Sequence, residues 1–301
     1  REVFEKEGRG VFLPYDQFQE LWESARKADA SGDEDPAEPW WRIALAEVEI
    51  ADAAGGIDVR DEATERSDRR AAEAAEEAAH AALDRAEVAL AGAAALDPTL
   101  KEVHLFRGLQ RAVRGDLALG ATRRQAYREA EAAFERAVRG HTDFAEAWEA
   151  LGDVRARLGD HEESLAALLV AAQSSPVDAH LRVAVGVQLQ RTDRSRAAAA
   201  QFEQAARLRP RDPSPWVRAG DAYADDESWT DALAAYTEAL RRDPTSEEAL
   251  FGEGTALERL GRLDEARTTY ERYLVHGGDR DTTVQRRIER LLRDPADGGR
   301  R

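Results

Sequence analysis

Histidines are the first place to look for chemistry, and the chain has six: His80, His104, His141, His161, His180 and His276. A catalytic zinc site of the H-E-x-x-H kind puts two of them one helical turn apart, so that both rings share a face. No such pair occurs. His161, followed by Glu162 and Glu163, reads as the exposed start of a helix. There is no cysteine, which removes disulfides, thiol nucleophiles and Cys-ligated zinc. Acids cluster at 29–39, but the D-x-D-x-D-G order of a calcium loop is missing. That stretch reads as a solvated linker. Gly252, Glu253 and Gly254 lack the third glycine of a dinucleotide loop and fall inside a helical pattern, so they read as packing. Neither a G-x-x-x-x-G-K phosphate loop nor a G-x-S-x-G elbow appears. Carboxylate pairs are abundant, which is the ordinary background of exposed helix faces. The expectation is therefore no catalytic residue, no cofactor, no metal ligand and no enzyme.

What remains is surface, and the elements that display it repeat. Glycine recurs every 34 residues at Gly152, Gly186, Gly220 and Gly254. Proline keeps the interval at Pro176, Pro210 and Pro244, and alanine at Ala171, Ala205 and Ala239. Bulky apolar residues sit three places before those alanines, at Leu168, Phe202 and Tyr236. Self-similarity of this length marks a helical repeat array. In the unit at 213–246, Trp216, Ala219, Gly220 and Tyr223 share one helix face, and Ala232, Leu233, Tyr236, Ala239 and Leu240 share another. Pro244 stops the second helix. One such hairpin cannot bury its apolar face alone, so neighbours must stack.

At these positions the chain resembles the tetratricopeptide repeat (TPR) family, over 145–178, 179–212, 213–246 and 247–280. The resemblance rests on Trp148, Leu151, Gly152, Gly186, Ala198, Phe202, Trp216, Gly220, Tyr223, Tyr236, Gly254, Ala266 and Tyr270. Departures are Arg155, Ser164, Arg182, Tyr273 and Gly278. It implies an all-α, right-handed α-solenoid of helix-turn-helix repeats. It also implies a concave groove lined by the first helix of each repeat, through its second, fifth, ninth and twelfth positions. Here these are Glu146, Glu149, Asp153 and Ala156; His180, Val183, Val187 and Gln190; Ser214, Val217, Asp221 and Ala224; and Glu248, Phe251, Thr255 and Glu258. Such a groove has an apolar floor bounded by acids. Family members that grip a carboxylate terminus use basic and amide residues where this chain has Glu149, Asp153, Ala184, Ser214 and Arg218. Only Arg218 fits, so that activity is not expected.

The flanks read less regularly. Residues 1–30 form an amphipathic segment with Phe18, Leu21, Trp22 and Ala25 on one helix face, and 31–37 an acidic linker. A helix over 38–54 carries Trp41, Leu45 and Val48 on one side and is expected to end at Gly55 and Gly56. A long alanine-rich helix or kinked pair follows over 61–96, its charged part around Glu62 to Glu77 projecting into solvent, so that 38–98 forms a degenerate helical hairpin. Residues 99–140 read as a repeat carrying an insertion at 115–124, expected in the turn. Residues 281–293 read as a capping helix through Val284, Ile288, Leu291 and Leu292, and 294–301 as a loose tail.

Composition bounds the partners. Lys and Arg total 43 against 60 Asp and Glu, a net charge of −17. An acidic chain is a poor nucleic-acid binder, because phosphate contact needs Lys and Arg. No apolar run is long enough to insert in a membrane, and no signal-peptide pattern is present. Met is absent even at the first position, so the chain is expected to be processed or excised from something longer. The lack of cysteine leans toward an exported setting without fixing a compartment. The leading expectation is a non-catalytic scaffold binding a basic or amphipathic peptide or protein segment in its groove. The alternative is a structural spacer or self-associating module within a larger, envelope-associated bacterial protein.

Overall fold

The computed structural model describes residues 39–65, 68–276 and 289. Among them every regular element is an α-helix. The chain divides into two compact units, one up to Leu158 and one from Gly159, and the division falls inside the repeat read at 145–178. The readings of 1–30, 31–37 and 294–301 lie outside the described residues, as does that of the capping helix at 281–293 apart from Glu289, which is helical.

The first unit holds α1 (Pro39–Glu65), α2 (Arg69–Leu96), α3 (Lys101–Leu117), α4 (Gly120–Val138) and α5 (Ala145–Leu158). Helix α1 starts on a proline, whose missing N–H costs nothing there. It does not end at Gly55 and Gly56, but runs through both to Glu65. The reason lies in packing. A Cβ at Gly56 would stand 3.1 Å from the Cβ of Ala79 on α2, so this glycine marks a close approach of two helices. Its buried face is also rotated from the Leu45 and Val48 side. Ile43, Ala46, Ile50 and Ala53 pack on Ala79, Ala82, Leu83, Ala86 and Leu90, with Leu45 only partly buried. The side chain of Trp41 lies outside the described residues. Asp68 caps α2 by accepting a hydrogen bond from the Ala71 N–H at 3.2 Å, which separates the two long helices.

The extra length at 115–124 is not a loop. It lengthens both helices of the third and fourth elements, leaving Ala118 and Leu119 as the connection. The ring of Phe134 occupies the space a Cβ would need at Gly108, and the ring of Tyr127 does the same at Gly115. A glycine–aromatic pair thus recurs two turns further along, and the hairpin extends without losing contact.

The second unit holds α6 (His161–Ser174), α7 (Ala179–Arg191), α8 (Ser195–Leu208), α9 (Ser214–Asp225), α10 (Trp229–Leu240), α11 (Glu247–Arg259) and α12 (Leu263–Val275). Helices α7 and α8, α9 and α10, and α11 and α12 pack as hairpins, and consecutive hairpins pack through α8 on α9 and α10 on α11. In each hairpin an aromatic ring of the second helix lies on a glycine of the first: Phe202 on Gly186, Tyr236 on Gly220, Tyr270 on Gly254. Tyr236 also fills the space beside Gly252, so its ring is held between two hairpins. This is the packing role read for Gly252 and Gly254.

The turns inside the hairpins repeat as well. Positive φ occurs at Asp193, Glu227 and Gly261, with values of 58°, 57° and 74°. The left-handed conformation costs an L-residue with a Cβ about 1–2 kcal/mol, and glycine avoids that cost. Glu227→Gly is therefore expected to stabilise the second unit by about 0.5–1 kcal/mol. Slower hydrogen exchange of α9 and α10 amides would register it. Faster exchange would show that the Glu227 side chain outweighs its backbone strain.

Candidate functional site

The first-helix positions divide between the two units. Glu146, Glu149 and Asp153 lie on α5 of the first unit. Glu146 is exposed, and the other two are half-buried. Burial raises the pKa of Glu47 on α1, and the negative charge of Glu146 raises it further. The acidic character of this face is therefore felt by its neighbours.

The remaining positions lie on α7, α9 and α11 of the second unit, with α9 and α11 in direct contact. On α7, His180 is exposed, while Val183, Val187 and Gln190 are half-buried. The Gln190 side-chain amide donates to Asp225 on α9 at 3.2 Å, tying the two first helices together. On α9, Ser214 is exposed and Ala224 half-buried. Val217 does not belong to an open face: it is only 6% exposed and packs in the core with Tyr236, Ala249 and Leu250. The neighbouring first helix closes over it, because small Ala249 lets the backbones come near.

On α11, Phe251 is half-buried with its ring centroid 6.3 Å from Tyr270 and 5.6 Å from Tyr273. Thr255 donates its hydroxyl to the Phe251 carbonyl at 2.9 Å and lies 3.3 Å from the Tyr270 hydroxyl. Tyr270 donates in turn to Glu258 at 3.1 Å. Tyr236 donates to Asp221 at 2.7 Å. The spacing of the repeat gives Tyr236 as bulk and Tyr270 as a repeat position, and neither reading contains these hydroxyl contacts. For Tyr236 the signal is tyrosine in place of phenylalanine with Asp221 directly after the packing glycine, whereas Gly254 is followed by Thr255 and Tyr270 reaches Glu258 a turn further on.

The electrostatics follow from that geometry. Asp221 is exposed as a residue, yet its carboxyl group is crowded by protein atoms. Burial raises its pKa and the charges of Asp225 and Glu248 raise it further, against the Tyr236 hydrogen bond and Arg218, which lower it. The Tyr236 hydroxyl is pushed up, by burial first and then by Asp221. Burial and the hydrogen bond to Glu203 push Tyr223 up to about 12. Carboxylates held close together in partly dry surroundings gain from a cation placed among them. Among the described residues there is no cluster of three metal-ligating side chains.

A tetratricopeptide repeat family profile matches residues 115–179, 187–247 and 217–281, more than half of the chain. The chain belongs to the tetratricopeptide repeat family. Solved structures agree on this TPR fold. The MamA protein is 18% identical with a TM-score of 0.51, covering 58% of this chain and 91% of its own. YrrB, described as a TPR protein with an unusual peptide-binding site, is 15% identical with a TM-score of 0.55, covering 67% and 97%. No curated protein matches the sequence. Among the described residues no helix is long and apolar enough to cross a membrane.

Proposed function

We propose that this TPR protein is a non-catalytic interaction scaffold whose first-helix face in the second unit binds a basic or amphipathic peptide segment. The observation that carries this reading is the juxtaposition on α9 and α11. Phe251 stands half-open on a tyrosine platform, while Asp221 and Glu258 hold carboxylates fixed by tyrosine hydroxyls. Val183, Val187 and Phe251 supply apolar contact, and His180, Gln190 and Thr255 supply polar edges. Val217 takes no part, being buried. Glu146, Glu149 and Asp153 on α5 give the first unit an acidic face of its own that would speed encounter with a positive segment. YrrB lends support as a protein of like fold described with a peptide-binding site.

An open face of this kind fits micromolar affinity, about −8 kcal/mol. Salt should weaken it, mainly by slowing association. The test is a random peptide library screened against the full chain. Enrichment of Lys- or Arg-bearing peptides with an apolar stripe is the expected result. A screen returning acidic peptides only, or none, would sink this reading and leave the spacer ahead.

A further inference from the structure

We propose that the open end of the α3–α4 hairpin is a binding site for a phosphate monoester, gripped by Lys101, Arg136 and Arg139. These residues line one cavity of about 320 Å³ together with Thr99, His104 and His141. The site lies wholly in the first unit. It uses none of the first-helix positions assigned to peptide binding and stands independently of that reading.

The first observation is unspent positive charge in an acidic chain. Several arginines of this unit are tied to carboxylate: Arg155 to Glu131 and Glu135, Arg114 to Asp84, Arg111 to Glu87 and Glu129, while Arg123 is spent on the Gly115 and Ala118 carbonyls. Arg136 and Arg139 form no ion pair among the described residues. The Lys101 ammonium is positioned 4.5 Å from the centroid of the Phe144 ring, which holds it in place without neutralising it. Of the acids close in sequence, Asp97 is already occupied by the Thr99 N–H at 2.9 Å and the Thr99 hydroxyl at 2.6 Å, and Glu102 in the first turn of α3 is a single charge against three cations. Cations gathered round one concavity in a chain of charge −17 repel one another unless an anion sits between them.

The second observation is that the field is felt inside the cavity. His104 is held below its ordinary pKa, first by burial and then by the charges of Arg107, Arg136 and Arg139. The third is the end of α3 itself. It begins at Lys101, and the residue before it, Leu100, offers no side-chain cap. Its first-turn N–H groups bring the positive end of one helix dipole to this region, while Arg136 in the last turn and Arg139 at the C-cap of α4 outweigh the half-charge of that helix's negative end with two full positive charges.

Charge number decides between anions. Two guanidinium groups and an ammonium exceed what one carboxylate neutralises. A phosphate monoester brings close to two negative charges at pH 7 and three acceptor oxygens, matched to the forked donors of arginine. The cavity also leaves room for the ester-bearing group beyond the phosphoryl oxygens. The same phosphoryl chemistry is carried by small metabolites and by modified peptide side chains.

The full chain should be titrated calorimetrically with O-phosphoserine, with a phosphoserine peptide, with the same peptide bearing serine or glutamate, and with inorganic phosphate as competitor. Saturable binding of the phosphorylated ligands is expected, displaced by inorganic phosphate. Arg136→Gln with Arg139→Gln should weaken it by about tenfold or more, with an unchanged unfolding temperature because both side chains are exposed. Equal affinity for O-phosphoserine and the peptide assigns the ligand to small esters, and tighter peptide binding to a modified chain. No saturable binding up to millimolar ligand would overturn the proposal. So would undiminished binding by the folded double variant, or a glutamate peptide that binds as tightly as the phosphorylated one.

Discussion

Phe202→Ala is expected to destabilise the second unit by about 3–5 kcal/mol, the range for deleting a fully buried aromatic ring. Phe202 is 0% exposed and its ring rests on Gly186, which has no side chain to fall into the space. Ala198, Ala199, Ala205 and Ala206 around it are small as well, so collapse of the cavity would need whole helices to move. Native-state hydrogen exchange of α7 and α8 amides reads the loss within the unit, without assuming that the chain unfolds in one step. A loss below about 1 kcal/mol would mean that the ring is not the keystone of its hairpin, because such small losses belong to sites that repack freely.

The second large effect is expected at Gly220→Leu, with a net loss of about 1–3 kcal/mol. Two effects compete. Leucine is the better helix former, by somewhat less than about 1 kcal/mol. Against this, even the Cβ would lie 2.5, 2.7 and 2.8 Å from three ring carbons of Tyr236. That ring cannot swing away, because Gly252 of the next hairpin lies against the same Cδ1, Cε1 and Cζ carbons and Asp221 holds its hydroxyl at 2.7 Å. Overpacking therefore wins. Asp225→Leu is the milder comparison: Asp225 is exposed at the end of α9 and gives up one exposed hydrogen bond, from Gln190 at 3.2 Å, a loss of about 0.5 kcal/mol, the low end for a hydrogen bond. The reverse order in denaturant melts would put the packed face on the wrong side of α9.

Much of this architecture is legible in the sequence because its packing rule is local and repeats. A glycine on one helix and an aromatic on the next are separated by a fixed distance along the chain, so Gly186 with Phe202 or Gly254 with Tyr270 can be read without coordinates. The misreadings share a cause. Gly55 and Gly56 look like a helix end, since glycine is a poor helix former, but Gly56 is required by the approach of Ala79 from a helix distant in sequence. Gly115 looks like the start of a loop, and only its partnership with Tyr127 shows that it continues a helix. The first helices themselves were readable from repeat positions. The composition of the face they carry was not. Val217 is apolar and correctly spaced, yet Ala249 and Leu250 of the adjoining helix bury it. The hydroxyl contacts of Tyr236 and Tyr270 need side-chain reach across a hairpin, which spacing alone does not give.

The central claim is that a positive, amphipathic segment docks beside Phe251 and Asp221. Titrating a labelled peptide from the library, with alternating lysine and leucine turns, into the full chain at two salt concentrations tests it most directly. The wild type should bind with micromolar affinity, about −8 kcal/mol, and more weakly in high salt. Phe251→Ala should release the peptide faster, and Asp221→Asn with Glu258→Gln should slow its association. Because Phe251 packs on Tyr270 and Tyr273, the variant's fold is checked first by its unfolding temperature. Folded variants that bind the peptide with wild-type affinity and wild-type salt dependence would contradict the claim.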